Sequence, residues 1–454
     1  VRRRFGVDVV LAVVLPVACA LALFVVRPDR GQPGTGEPVA TALSTSSLVC
    51  PSALTGTGTD ATGVSVSGSA DEAADGEVTV GLGQTSAPLR VRSGRVSAAE
   101  PGAGAAVVTG TGALAPGLVA GRSQSAPLAA VDCAPPVADQ WFTGAGAEPT
   151  HDSVLELTNP NTGPAIADVT VRGPSGVVDV PALRGVSVPG STTVQLDMGQ
   201  VLPRRGELAL EVHTTRGRLA VHVVDAVDDL GGAASRDWLP AQAEPSSENL
   251  VLGLVPGAGE RTLVLANPGA DEVRAELQVV TATSVFTPTG AETIRVAPGT
   301  TESVTLDDVL AQSAQDGALG VLVSSNGPVT TGLRQVVDGD LSLLAAGAAV
   351  DAPTAAVVPA GPKRLLLAGA TGTGTATVTA YDAKGKALAE QAVDLAVQAG
   401  GDVELPDATA LVGVVPEGAA VHAAVLLTGG GTAVVPLREL VLTGLVPDVR
   451  PGVP

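Results

Sequence analysis

The chain has 454 residues, 45% hydrophobic, 16% charged and only 2% aromatic, with 56 glycines, 34 prolines and a formal net charge of −20. That apolar content excludes a wholly disordered chain, and the lack of a G-X-Y period excludes collagen; abundant Gly and Pro point to many turns between short strands. The acidic balance repels phosphate backbones and anionic headgroups, which argues against nucleic acid as a partner.

In chain order, the first predicted element is a membrane span. Residues 9–26, VVLAVVLPVACALALFVV, are continuously apolar, with Arg2, Arg3 and Arg4 before them and Arg27, Asp29 and Arg30 after. Eighteen helical residues rise about 27 Å, enough to cross a hydrocarbon core. The positive-inside rule makes 1–8 a cytoplasmic tail and sends the chain beyond about residue 30 outside the cell membrane. No small-x-small cleavage site follows the run. Cys19 has Pro16 three residues before it, where a lipoprotein box needs Leu. A single uncleaved anchor is therefore expected, with the membrane as one partner. Residues 27–47 read as a Gly/Pro/Ser-rich linker.

Residues 48–137 read as a β-rich domain stapled by cysteines. Val64-Val66, Val78-Val80-Leu82 and Leu89-Val91 alternate among Gly, Ser, Thr and Ala. Outside the membrane disulfides persist, and Cys50 and Cys133 are the two cysteines left after Cys19. Neither lies in a C-x-x-C pair or has a zinc-ligand spacing, so a structural bridge is expected.

An internal repeat then dominates. Leu155-Glu156-Leu157-Thr158-Asn159-Pro160 is answered by Leu263-Val264-Leu265-Ala266-Asn267-Pro268. Val188-Pro189-Gly190-Ser191-Thr192-Thr193 is answered by Ala297-Pro298-Gly299-Thr300-Thr301, and Val223-Val224-Asp225 by Val336-Val337-Asp338. Matching points lie 108 to 113 residues apart. Repeats are expected at 138–247 and 248–352, with a degraded third at 353–446, where Leu365-Leu366-Leu367-Ala368-Gly369 has lost the Asn-Pro pair, and a tail at 447–454. Strands in the middle copy are predicted at 250–255, 261–266, 272–281, 292–297, 301–306, 319–324 and 328–337, with one helical turn at 306–310. Hairpin turns are predicted at Thr214–Gly217, at Ser324–Gly327, where Asn-Gly accepts positive φ, and at Gly429–Gly431. Seven short strands in about a hundred residues indicate tandem β-sandwich modules of immunoglobulin or fibronectin type, an all-β class.

Catalytic chemistry is hard to find. His151, His213, His222 and His422 fit no paired-ligand spacing, although His213 and His222 flank one predicted hairpin and are placed to face each other. The serine contexts Gly63–Ser67 and Gly121–Ser125 lack the closing glycine of a nucleophile elbow. Gly56-Thr57-Gly58 and Gly372-Thr373-Gly374 have no phosphate-loop lysine, so no cofactor is indicated. Asp225, Asp228, Asp229, Asp338 and Asp340 could suggest calcium, but the D-x-D-x-D-G spacing is missing. Trp141 and Trp238 are expected in core or inter-module packing.

The short tail, the anchor and the repeated L-x-L-x-N-P strand followed by V-P-G-x-T-T resemble a family of anchored, exported proteins of high-G+C Gram-positive bacteria, known as a domain of unknown function. The resemblance implies an envelope location and carries no catalytic residue across. The resulting expectation is a non-enzymatic scaffold or interaction protein of the cell envelope, with an envelope protein or glycan as partner. The alternative is an accessory subunit or enzyme of cell-wall glycan assembly with a site between modules.

Overall fold

The structure is a computed structural model that describes residues 39–56, 58–67, 74–100, 102–228 and 235–446, together with Val17. The predicted tail at 1–8, the anchor at 9–26, Cys19 and the tail at 447–454 lie outside these, Val17 apart. Among the described residues no helix is long and apolar enough to cross a membrane. The fold is all-β, built of antiparallel sheets.

Two compact units are present. In one, Val39–Ala42 pairs antiparallel with Thr443–Val446. The second half of the stretch read as linker is therefore partly strand: Val39 and Thr41 are β-branched, and the pairing satisfies backbone groups that a free spacer leaves to water.

The other unit, Leu43–Leu442, contains four successive stretches with one pairing scheme. With strands counted one to eight in each, one layer runs first–sixth–third–fourth and the other fifth–second–seventh–eighth, the layers being separate sheets in the first and fourth stretches and joined into one sheet in the second and third. In the third stretch the strands are Ser246–Leu252, Gly259–Ala266, Val273–Thr281, a fourth split into Val285–Phe286 and Ile294–Val296, Thr301–Thr305, the two halves of Ala318–Val337, and Asp340–Ala345. The fourth stretch runs from Thr354–Val357 to Thr432–Pro436, and the second from Asp139–Glu148 to Ser235–Leu239. The cysteine-bearing stretch, from Thr45–Cys50 to Leu128–Asp132, follows the same order. There are thus four copies of the topology, one more than the sequence motifs mark.

Period-two patterning accounts for the strands. In Val273–Thr281, Val273, Ala275, Leu277 and Val279 are buried while Arg274 and Glu276 are exposed. Each fully buried Val or Leu contributes roughly 1.5–3 kcal/mol. In every stretch the two sheets share one core: Leu277 and Val321 of one sheet meet Leu263 and Leu333 of the other in the third, as Val378 and Val414 meet Leu365 and Val425 in the fourth.

Two predicted hairpins are corrected. Ala318–Val337 is one continuous strand through Asn326-Gly327. Its first half pairs with Ser246–Leu252 and Val273–Thr281, its second with Gly259–Ala266 and Asp340–Ala345, so the chain crosses from one sheet to the other. Asn326 accepts a hydrogen bond from the Arg274 N–H at 2.8 Å instead of serving a tight turn. Arg205–Arg216 and Ala220–Val227 likewise pair with different neighbours, Asp139–Glu148 and His151–Asn159, and not with each other. Ladder partners on both sides of the crossing outweigh the local turn propensity. The Gly429–Gly431 turn does form a hairpin, joining His422–Thr428 to Thr432–Pro436. By strand order it answers to the Asp338-Gly339 turn, one element later than the copy alignment expects. The predicted helical turn is the longer helix Asp307–Gln315.

The Asn-Pro strands show why the repeat motif exists. Asn159 Nδ2 donates to the carbonyls of Gly163 (2.8 Å) and Val188 (3.1 Å), and its Oδ1 accepts from Asn161 N–H at 3.0 Å. Asn267 Nδ2 donates to Asp271 (2.8 Å) and Val296 (3.1 Å), and its Oδ1 accepts from Gly269 N–H at 2.8 Å. The two side chains clamp the same loop in the same way.

The four stretches close on themselves. Leu128–Asp132 packs on Thr432–Pro436, that strand on Asp340–Ala345, that on Ser235–Leu239, and Ser235–Leu239 back on Leu128–Asp132. Each eighth strand also gives apolar groups to the stretch before it in this cycle: Ala130 enters the fourth core, Val434 the third, and Leu341 with Leu343 the second. Trp238 packs with Leu54 and Ala129 of the first.

Candidate functional site

Polar joints accompany the apolar ones. Asp132 of the first stretch pairs with Arg438 beyond the fourth, whose Nη2 also donates to the Cys133 carbonyl at 2.8 Å. Thr432 N–H donates to Asp340 at 2.6 Å and Leu343 N–H to Asp237 at 3.1 Å, tying fourth to third and third to second. Between second and first, Glu156 accepts from Ser52 N–H at 3.0 Å and the Trp238 indole donates to the Ser52 carbonyl at 3.2 Å. Burial raises the carboxyl pKa of Asp132 against the pull of Arg438, and raises Asp237 and Asp340 against the backbone N–H groups they accept from.

Where the stretches meet lies a chamber of about 390 Å³, lined from all four. Its walls are mainly apolar: Ala130 and Val131, Phe142, Trp238 and Leu239, the Ala/Gly run Ala345–Ala349, Val434 and Leu437. Five polar side chains line it: Asp132, Gln140, His222, Arg438 and Glu439. Asp132 and Arg438 neutralise each other, and Glu439 accepts from Asp351 N–H at 2.8 Å. Both His222 ring nitrogens and the Gln140 Oε1 are buried without a hydrogen-bond partner among the described residues. Burial drives the His222 pKa down to about 4, with Glu156 opposing, so the imidazole is neutral at pH 7.

A second, polar groove of about 510 Å³ lies between the second and third stretches, lined by Glu148, His151, Glu207, Asp228, Glu260 and Arg334. His151 Nε2 lies 2.9 Å from Asp225, Arg334 Nη1 lies 3.1 Å from His151 Nδ1, and Arg334 Nη2 pairs with Glu207 at 2.8 Å. Burial pushes the His151 pKa down, but Asp225 outweighs it and the net displacement is upward. Ser153 donates to Asp225 and not to the imidazole. A nucleophilic serine needs the histidine as its base, so this trio does not form a hydrolase triad.

A family match spans residues 94–406, more than half of the chain. The chain belongs to DUF5719, a family of unknown function. No curated protein matches it. Among solved structures, the native conformation of E. coli alpha-2-macroglobulin is similar at 12% identity and a TM-score of 0.13, over 90% of this chain and 29% of that one, which carries no argument about fold or function.

The DUF5719 match begins inside the first stretch and ends inside the fourth, so it contains the second and third whole. In this DUF5719 chain Cys50 and Cys133 form the predicted disulfide. His213 does not face His222: it is exposed on the sixth strand, beside Asp139, whereas His222 is buried on the seventh, in the other layer. His422 is partly buried, and burial lowers its pKa. Ser65 is buried, and its hydroxyl has no partner. Asp225 and Asp340 are engaged as described, and Asp229 lies outside the described residues. Among the described residues no cluster of three or more His, Cys, Asp or Glu is arranged for a metal. Trp141 is buried under Arg172, whose guanidinium lies 4.7 Å from the ring centroid. Sequence reasoning missed the chamber, whose residues come from four distant segments. The one available signal was the set of apolar eighth strands.

Proposed function

We propose that this protein is a membrane-anchored interaction scaffold on the outer side of a bacterial cell membrane. Its platform would be four β-sandwich modules: the cysteine-stapled one at 48–137 and the three at 138–247, 248–352 and 353–446. The second–fifth and third–sixth pairings of an immunoglobulin sandwich are kept, with the first and seventh strands exchanged between sheets. The observation that carries the reading is the closure of the fourth stretch onto the first, through Asp132–Arg438 and the handed-over eighth strands. Closure holds loops and sheet edges in fixed relation, which suits a docking platform. The carboxylates of buried Asp237 and of half-buried Asp132 and Asp340 serve its joints.

One observation favours the second reading, an accessory of glycan assembly: Glu148, Glu207 and Glu260 converge on the groove between the second and third stretches. Crosslinking in intact cells followed by pull-down of the full chain separates the two. A reproducible envelope protein on the crosslinked chain supports the scaffold. Recovered glycan without protein, lost in Glu207→Gln, supports the alternative.

A further inference from the structure

The fourth strand is a sheet edge in all four stretches, and the four edges are treated differently. In the second stretch it is broken into Gly176–Val178 and Val186–Val188, in the third into Val285–Phe286 and Ile294–Val296. In the first, Ala87–Arg92 contains Pro88, and its Arg90 and Arg92 are paired with Asp75. Breaks and proline stop an edge from recruiting another strand, and charge on an edge restricts which strand it accepts. The fourth stretch differs: Ala387–Leu395 is nine residues long, unbroken and free of proline. Among the described residues it pairs only with Gly374–Tyr381, and Ala389 to Ala392 are exposed on both faces.

We infer that Ala387–Leu395 is a docking edge for an extended, basic segment of a partner protein, which would add to the sheet as a further antiparallel or parallel strand. The occupant follows from the edge itself. An unpaired edge offers alternating N–H and C=O groups, which only another extended backbone satisfies in series. Its solvent face sets the charge. The cross-strand rows there run Glu417–Thr375–Asp394 and Val415–Thr377–Ala392, and Glu390 follows opposite Thr379. Glu390, Asp394 and Glu417 are exposed, so an incoming strand with Lys or Arg on this face meets opposite charge. A second copy pairing antiparallel about Ala392 would set Glu390 against Asp394, like against like, which disfavours self-association. The inference rests on the interaction-scaffold reading and names the surface and the partner chemistry.

The test uses the full chain in detergent and a capped nonapeptide of alternating Lys and Val, with a Glu-for-Lys version as control. The expected result is saturable binding of the basic peptide at low salt, slowed amide exchange confined to 387–395, and at least tenfold weaker binding to E390K/D394K. Both substitutions are at exposed sites, and unchanged exchange elsewhere verifies the fold. Equal binding of the acidic peptide, protection at another edge, or undiminished affinity of the double variant overturns it. So does protection of 387–395 that grows with protein concentration without peptide. In cells, an envelope partner that E390K/D394K still captures sinks the edge and spares the scaffold, whereas no partner on the unaltered chain sinks the scaffold.

Discussion

The first and third stretches carry one strand order on very different cores. The third packs Leu263, Leu265, Leu277, Val279, Val321 and Leu333, adds Leu310 from its helix, and borrows Val434 from its neighbour. The first has a smaller cluster around Leu48, Val64, Val78 and Val108, and within it the Cys50–Cys133 bridge. Both bury one arginine that ties loop carbonyls: Arg122 bonds Asp60 and the Pro51 and Gly104 carbonyls, and Arg261 bonds those of Val255 and Gly257. The comparison separates what specifies the topology, inward alternation on eight strands, from what stabilises it, which the third does with apolar area and the first with a covalent staple.

Removing the staple tests that division most severely. Cys50→Ser/Cys133→Ser, or reduction, should cost about 4–5 kcal/mol in the loop-entropy account, read as a lower urea midpoint. Because Cys133 adjoins Asp132 and accepts from Arg438, exchange protection should fall in the first stretch and at the Asp132–Arg438 joint while the third stretch stays protected. Uniform loss across all four would show that the stretches do not differ in their means of support.

Acid should act at the seam between the first and second stretches. His222 falls from an ordinary value of 6.5 to about 4 in the fold. At this site the unfolded chain therefore binds more protons between about pH 6.5 and 4, and the stability that His222 contributes drops as pH falls through that window. The loss approaches about 3 kcal/mol below pH 4. Urea titrations at several pH values should show this slope, and His222→Phe should flatten it.

A smaller effect sharpens the repeat relation. Asn159→Ala and Asn267→Ala each leave buried carbonyls and an N–H without a partner, at about 1–3 kcal/mol per group. Their urea midpoints should shift by similar amounts, because the clamps match bond for bond. The fourth stretch has Gly369 instead, with φ at +63°. A Cβ there would meet Leu250 Cδ2 at 2.8 Å, so Gly369→Asn should destabilise and not restore a clamp.

Much of this architecture was readable from residue order. Alternation in segments such as Val273–Thr281 located strands to within a few residues, and the Asn-Pro and Pro-Gly signals paired the second and third stretches correctly. The crossings at Thr214–Gly217 and Ser324–Gly327 were not readable, since Asn-Gly favours a hairpin locally and only ladder partners far along the chain decide otherwise. The first stretch is not legible as a repeat because it lacks the Asn-Pro clamp and bridges its shorter strands with cysteine. His222 is a single histidine between valines, and nothing beside it in sequence tells that Gln140, Trp238 and Arg438 line the same chamber.

Closure of four repeats into one body is tested most directly by small-angle X-ray scattering on residues 43–442, exported so that the disulfide forms. The closed arrangement predicts a radius of gyration of about 21 Å, the value for a compact body of this length, with a single-peaked pair-distance distribution. A markedly larger radius with an extended tail, as from repeats strung in line, would contradict it.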